Sequence, residues 1–142
     1  MLPRAARLRK EREFRAVFSR RPAPHARPAV GSLAQGVYNA PFMTLHVRPA
    51  RRVDGARLRL GFSISKKTAR RAHDRNRIKR RLAEAARLHL IAAYRGGPCD
   101  CVLVARAGAV DADFAALRDA LLGLFERAGF AGAAEDGACG AF

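Results

Sequence analysis

The chain has 142 residues, of which 49% are hydrophobic, many of them alanine, a length that fits one domain with one modest core. A formal net charge of +16 and a pI near 11.5 point to a polyanionic partner, either nucleic acid or an anionic membrane surface. A membrane span is excluded by the lack of any apolar run of roughly 18 residues, and a disulfide framework by an odd number of cysteines, two of which (Cys99 and Cys101) stand one residue apart. The Arg-rich start MLPRAARLRKEREFRAVF carries Glu11 and Glu13 and little serine, which argues against a transit peptide and places the protein in the reducing cytoplasm.

Residues 1–9 read as a loose basic arm. A short helix is predicted from Lys10 to Phe18, because Phe14, Val17 and Phe18 recur at i, i+3 and i+4 and Glu11 and Glu13 fall in the first turn, where the helix dipole favours acids. Spacing favours core packing for the two phenylalanines; a stacking surface for bases is the other reading. Residues 19–41 hold Pro22, Pro24, Pro28 and Pro41 and predict a long, partly mobile connector, with a short strand near Val30–Leu33 or Gly36–Tyr38. Phe42 to Val47 reads as a strand with Met43, Leu45 and Val47 on one face and Thr44 and His46 on the other. His46 has no second ligand at useful spacing and reads as a surface or cleft histidine. Pro49 to Gly55 is a turn.

Arg57 to Ser65 is the clearest strand: Leu58, Leu60, Phe62 and Ile64 alternate with Arg59, Gly61, Ser63 and Ser65. It runs into the densest charge of the chain. Lys66, Lys67, Arg70, Arg71, Arg75, Arg77, Lys79, Arg80 and Arg81 stand against the single acid Asp74, a clustering that repels itself unless a polyanion neutralises it. A helix is predicted to start between Arg70 and Asp74 and to reach about Ala93. At 3.6 residues per turn, Ile78, Leu82, Ala85, Ala86 and His89 share one side, and Asn76, Arg77, Arg80, Glu84 and Arg87 lie roughly opposite. His89 then reads as a packed histidine.

Gly96-Gly97-Pro98 ends that unit. Cys101 to Ala105 is a short apolar run suited to a strand buried on both faces, and Cys99 and Cys101 read as buried structural thiols, since no second ligand pair accompanies them. A last helix is predicted from about Ala112 to Ala128, with Phe114, Leu117, Leu121, Leu124, Phe125 and Ala128 at helical spacing and an outer face that is acidic on balance. The whole reads as one domain, residues 1–130, followed by a small-residue tail, 131–142, expected to be disordered.

No catalytic constellation is legible: there is no phosphate-cradling Gly-rich loop, no HExxH and no carboxylate cluster of the kind that holds Mg²⁺ in protein nucleases. The chain reads as a binding protein, and its target as RNA rather than DNA. Guanidiniums crowd the start of the charged helix and recur down it, which suits irregular phosphate geometry, whereas no helix-turn-helix spacing is present. Arginine gives bidentate phosphate contacts and stacks on bases, and Asn76 can bond a base edge or a 2′-hydroxyl.

The run GFSISKK followed by RRAHDRNRIKRRLAEAARLH resembles the signature of the bacterial ribonuclease P protein family, in which a Gly-x-Ser-x-Ser/Ala-Lys-Lys strand end precedes Arg-Asn-Arg-x-Lys-Arg on a helix. RLRKEREFRAVF resembles the family's first helix, and CDCVLVARAGA with DFAALRDALLGLFERAG its closing strand and helix. The match covers most of residues 7–130. It implies an α+β fold, an αβββαβα two-layer sandwich similar to the second domain of ribosomal protein S5, with a left-handed βαβ crossover where general rules favour a right-handed one.

The resemblance also implies a function. A catalytic RNA, with Mg²⁺ held by that RNA, removes the 5′ leader of precursor tRNA, and the protein binds both the RNA and the leader; it has no catalytic residue or metal of its own and no membrane or DNA partner. By position, Arg75, Asn76, Arg77, Lys79 and Arg80 match the RNA-binding motif, with Arg70, Arg71 and Arg87 beside it. Phe14 and Phe18, with Ser63, Ser65, Lys66 and Lys67, match the leader cleft, which puts Lys66 and Lys67 with the phenylalanines and the Arg75–Arg80 face on a different RNA surface. Ala83 stands where the family usually has an arginine before the glutamate, here Glu84, and Arg80 and Arg87 lie nearest to compensate. A ribosomal or RNA-chaperone protein of the same fold is the alternative reading.

Overall fold

The computed structural model describes residues 6–8, 10–18, 33, 35–49, 58–91, 93–94 and 98–130. Among them, in chain order, are α1 (Glu11–Phe18), β1 (Gly36–Asn39), β2 (Met43–Pro49), β3 (Leu58–Ser63), α2 (Ala72–Ala86), β4 (Cys99–Ala105) and α3 (Phe114–Ala128), the predicted αβββαβα order. Most of the proline-rich connector, residues 50–57 (which hold all of the expected Pro49–Gly55 turn but Pro49, itself the last residue of β2) and the 131–142 tail lie outside the described residues. Of the two places suggested for the first strand, Gly36–Asn39 is the one that forms it, and Leu33 is buried in the core.

The strands form one sheet in the order β1-β2-β4-β3. β1 and β2 are antiparallel, as are β2 and β4, whereas β3 and β4 are parallel. Parallel neighbours cannot be joined by a tight hairpin, and α2 makes the connection. β4 is central, which explains its unbroken apolar run: Cys101, Val102 and Leu103 are all fully buried although they alternate between faces.

Register defines the two faces. On the inner face, Tyr38, Leu45, Leu103 and Phe62 form one row across the sheet and Gly36, Val47, Cys101 and Leu60 the next. These meet Ile78, Leu82, Ala85 and Ala86 of α2 and Leu117, Leu121, Leu124 and Phe125 of α3, the two-layer core. On the outer face, one row is Val37, His46, Val102 and Gly61. A second, smaller cluster there joins Val102 to Leu8 and Val17, with Phe14 and Val104 against it, so α1 packs on the face opposite α2 and α3.

Two local expectations change. Within the 1–9 arm, residues 6–8 are not loose: the Leu8 amide donates to the Leu60 carbonyl at 2.9 Å and Arg7 bridges Leu60 in parallel, while Ala6 and Leu8 are buried. α2 stops being α-helical at Ala86, and Arg87–Ile91 form a π-helical turn. The wider turn shifts the helical phase, so Leu90 becomes the fully buried residue and His89 is only half-buried. The small-residue stretch after α3 begins with an ordered stop: Gly129, at φ 117°, donates to the Glu126 carbonyl at 3.0 Å and Phe130 to Phe125 at 2.8 Å. This is a Schellman ending, which requires the left-handed conformation that glycine tolerates, and it buries Phe130.

Candidate nucleic-acid interface

α1 lies across the outer-face row His46, Val102, Gly61 and places one apolar side chain near each strand. The Phe18 ring stands edge-on to His46, with centroids 4.8 Å apart and planes at 79°, and remains 41% exposed. Val17 is buried with Val102. Phe14 lies over Gly61, where an added Cβ would stand 2.5 and 2.6 Å from two ring atoms. Only a residue without a side chain lets the ring rest there. His46 has its pKa lowered, first by burial and then by the Arg106 charge, as suits a neutral imidazole packed under a ring.

One flank of α1 is clamped by arginines. Arg48 Nη1 donates to the Ala16 carbonyl at 2.9 Å. Arg59 forks onto Asp100 with two bonds of 2.9 Å and reaches Glu13 Oε2 at 2.6 Å. The Asp100 hydrogen bond is the main cause of the raised Arg59 pKa. The other Glu13 oxygen accepts the Lys10 amide at 2.8 Å, the glutamate half of a capping box.

At the β3 edge, between α1, the Ala6–Leu8 segment and α2, opens a groove of about 720 Å³. Leu8, Phe14, Phe62 and Ala83 supply its apolar wall; Arg7, Lys79 and Arg80 supply cations, and Glu84 an acid. A second hollow of about 650 Å³ is lined by Lys66, Lys67, Thr68 and Arg70. It sits on the turn after β3, which is tied down by Thr68: its amide reaches Ser65 Oγ at 3.3 Å and its hydroxyl donates to the Ala105 carbonyl at 3.1 Å.

These contacts regroup the predicted site residues. Lys66 and Lys67 line a hollow with Arg70, while Phe14 lines a groove with Lys79 and Arg80. β3 ends at Ser63, so the lysines have already left the strand, and α2 returns along the β3 edge and brings its second and third turns level with Gly61. Phe18 stands over His46, Ser63 is half-buried at the end of β3 on the α1 face, and Ser65 is in the turn. Ala83 forms part of the groove wall beside Arg80, whereas Arg87 is held by Glu84 at 2.5 and 3.2 Å. That contact is the largest cause of a Glu84 pKa lowered to about 2.

The basic helix face is also not uniform. Arg75 Nη1 donates to the Ala69 and Arg70 carbonyls, both at 2.9 Å, bonding the turn that leads into α2. Arg77 Nη2 donates to the Val110 carbonyl at 3.2 Å and lies 3.7 Å from Asp74, and its Nε is buried without a hydrogen-bond partner among the described residues. Arg81 Nη1 donates to the Ala112 carbonyl at 3.0 Å. Arg70, Arg71, Asn76, Lys79, Arg80 and Arg87 are exposed.

Sequence reasoning gave no groove role to Arg7, Leu8, Gly61 or Glu84 and missed the Arg59–Glu13 contact. One of these had a signal: Gly61 interrupts an otherwise bulky strand. The thiols of Cys99 and Cys101 are buried, 3.7 Å apart, and among the described residues no group of three or more His, Cys, Asp or Glu is placed to hold a metal ion. No helix among them is long and apolar enough to cross a membrane.

Fold and site thus define a small basic α+β domain with an aromatic–cation groove at one sheet edge. The sequence pattern of the Ribonuclease P family matches residues 2–129. The ribonuclease P protein component of Xanthomonas oryzae pv. oryzae is 38% identical over 127 residues, 89% of this chain and 73% of that protein. That of Idiomarina loihiensis is 51% identical over 65 residues, 44% of this chain and 48% of that protein, about half its length. Two solved structures share the fold: a Staphylococcus aureus RNase P protein mutant (TM-score 0.68, 22% identity, 87% of this chain and 88% of that one) and the RNase P protein of Thermotoga maritima (TM-score 0.64, 23% identity, 85% and 96%). The chain belongs to the ribonuclease P protein family.

Proposed function

We propose that this chain is the protein subunit of a bacterial ribonuclease P, a cytoplasmic ribonucleoprotein that removes the 5′ leader from precursor tRNA. The protein binds the catalytic RNA and the leader; the RNA, with Mg²⁺ that the RNA holds, cleaves the phosphodiester. The observation that carries this reading is the β3-edge groove, where the Phe14 ring lies among Arg7, Lys79 and Arg80.

A single-stranded leader offers unstacked bases alternating with phosphates. An aromatic face binds a base for about 1–3 kcal/mol with little regard to its identity, and arginine and lysine take the phosphates on either side. Such a groove holds many leaders, which raises substrate affinity and widens substrate range. The exposed cations Lys66, Lys67, Arg70 and Arg71, with Asn76, provide a second surface for the irregular phosphates of the catalytic RNA. The protein's part is to bind, neutralise and orient, and bond cleavage stays with the RNA.

Reconstitution with the catalytic RNA at low Mg²⁺ tests the reading. The protein is expected to increase leader removal from precursor tRNA, and the purified protein alone is expected to cut nothing. Absence of any gain on reconstitution overturns the proposal.

A further inference from the structure

Phe14 reaches the groove through a short helix whose second turn is held by Val17 against Val102 and by the Arg48 bond to the Ala16 carbonyl. α1 has eight residues and one buried side chain, Val17, and an isolated helix of two turns is far below the length that is stable in water. Its aim therefore depends on tertiary ties. On the sheet side, Gly61 leaves the floor open for the Phe14 ring. At the preceding residue, Glu13 uses one oxygen to cap the Lys10 amide and the other to meet Arg59 of β3, at 2.8 and 2.6 Å. Arg59 cannot follow α1 if α1 moves, because its Nε and Nη2 are both bonded to Asp100 of β4. Arg59 and both acids are largely buried, with 22%, 18% and 13% side-chain exposure, so the contact is weakly screened by salt.

Resting on the function proposed above, we infer that Glu13 and Arg59 are positioning residues for the leader contact: their ion pair fixes the first turn of α1 against β3 so that the Phe14 ring stays over Gly61 and faces the groove with Lys79 and Arg80. Neither residue need touch RNA. Arg59 is one of the chain's many arginines, yet it points at two carboxylates rather than at a polyanion.

Glu13→Gln is the selective variant, because glutamine still caps the Lys10 amide but no longer offers Arg59 a charge, and Asp100 still neutralises the guanidinium. The first measurement needs no RNA. The ring current of Phe14, whose ring atoms lie against Gly61, shifts the glycine Hα resonances; Phe14→Ala gives the unshifted reference, and Glu13→Gln is expected to move them part of the way toward it. The second uses the reconstituted holoenzyme and a double-mutant cycle. Phe14→Ala and Glu13→Gln are each expected to weaken binding of leader-bearing precursor tRNA several-fold while leaving mature tRNA affinity unchanged, and the double variant is expected to lose no more than Phe14→Ala alone. Wild-type Gly61 resonances in Glu13→Gln, or losses that simply add, overturn the positioning role. If Phe14→Ala has no effect on the leader while the resonances still move, it is the leader contact that fails and the seating of Phe14 by Glu13 that stands.

Discussion

Two pairs of cations on one stretch of α2 are used in different ways. Arg77 and Arg81, a turn apart, turn toward the segment between β4 and α3 and donate to the Val110 and Ala112 carbonyls. Lys79 and Arg80, between them in sequence, are exposed and line the groove that holds Phe14. The first pair bonds backbone carbonyls that precede the α3 N-cap; the second faces open solvent beside an aromatic ring. A run of like charges is therefore not one surface. Helical angle alone does not separate them, since residues 77 and 80 lie only about 60° apart around the axis; what lies opposite decides which guanidiniums bond the protein's own carbonyls and which stay exposed.

The comparison can be broken by substitution. Replacing Lys79 and Arg80 with Gln has the largest expected effect, a loss of about 1.5–3 kcal/mol of RNA binding for each charged hydrogen bond. The salt slope of binding should also fall by about 0.7–0.9 per lost phosphate contact, with no change in thermal midpoint; an unchanged slope removes these residues from the interface. Gly61→Ala comes next. Its Cβ would collide with the Phe14 ring, and overpacking of this kind costs about 1–3 kcal/mol, so a lower thermal midpoint should accompany a loss of leader discrimination.

Arg77→Ala should cost about 1–3 kcal/mol of folding stability by leaving the Val110 carbonyl without its charged donor, measured by urea unfolding, while the salt slope of RNA binding stays as in the wild type. A lowered slope would place Arg77 with Lys79 and Arg80 instead. The smallest effect is one of pH and concerns the far end of α1. Because the folded pKa of His46 lies below its unfolded value near 6.5, the unfolded chain binds the extra proton first. Stability is then full above about pH 7 and falls as pH drops through 6.5 toward the folded pKa. Comparing wild type with His46→Phe by denaturant unfolding between pH 7.5 and 5.5 should show this slope only in the wild type.

Much of the architecture was legible from local pattern. Alternation over Leu58–Ser63, the unbroken apolar run in β4 and the helical spacing of Leu117, Leu121, Leu124 and Phe125 each follow from which faces are buried, and burial is written in hydrophobic period. The signature around Arg75–Arg80 was enough to indicate the family. The errors lay where periodicity says nothing. The π-turn at Arg87–Ile91 shifted the buried position from His89 to Leu90, and Ala6–Leu8, too short to show a period, proved to be docked on β3.

Which charge meets which was not legible at all. Arg59 and Asp100 are 41 positions apart and Arg59 and Glu13 are 46 apart, and nothing in the local sequence separates Arg77 from Arg80. Composition and spacing alone determined a strongly basic domain with its helices, its last three strands and its charged stretch in order, and pointed to a polyanionic partner. The pairing of Phe14 with Lys79 and Arg80, the separate hollow of Lys66 and Lys67, and the diversion of Arg77 and Arg81 into the scaffold arose from the folding of α2 back along the β3 edge. Side-chain partnerships depend on three-dimensional proximity, which a one-dimensional period does not encode.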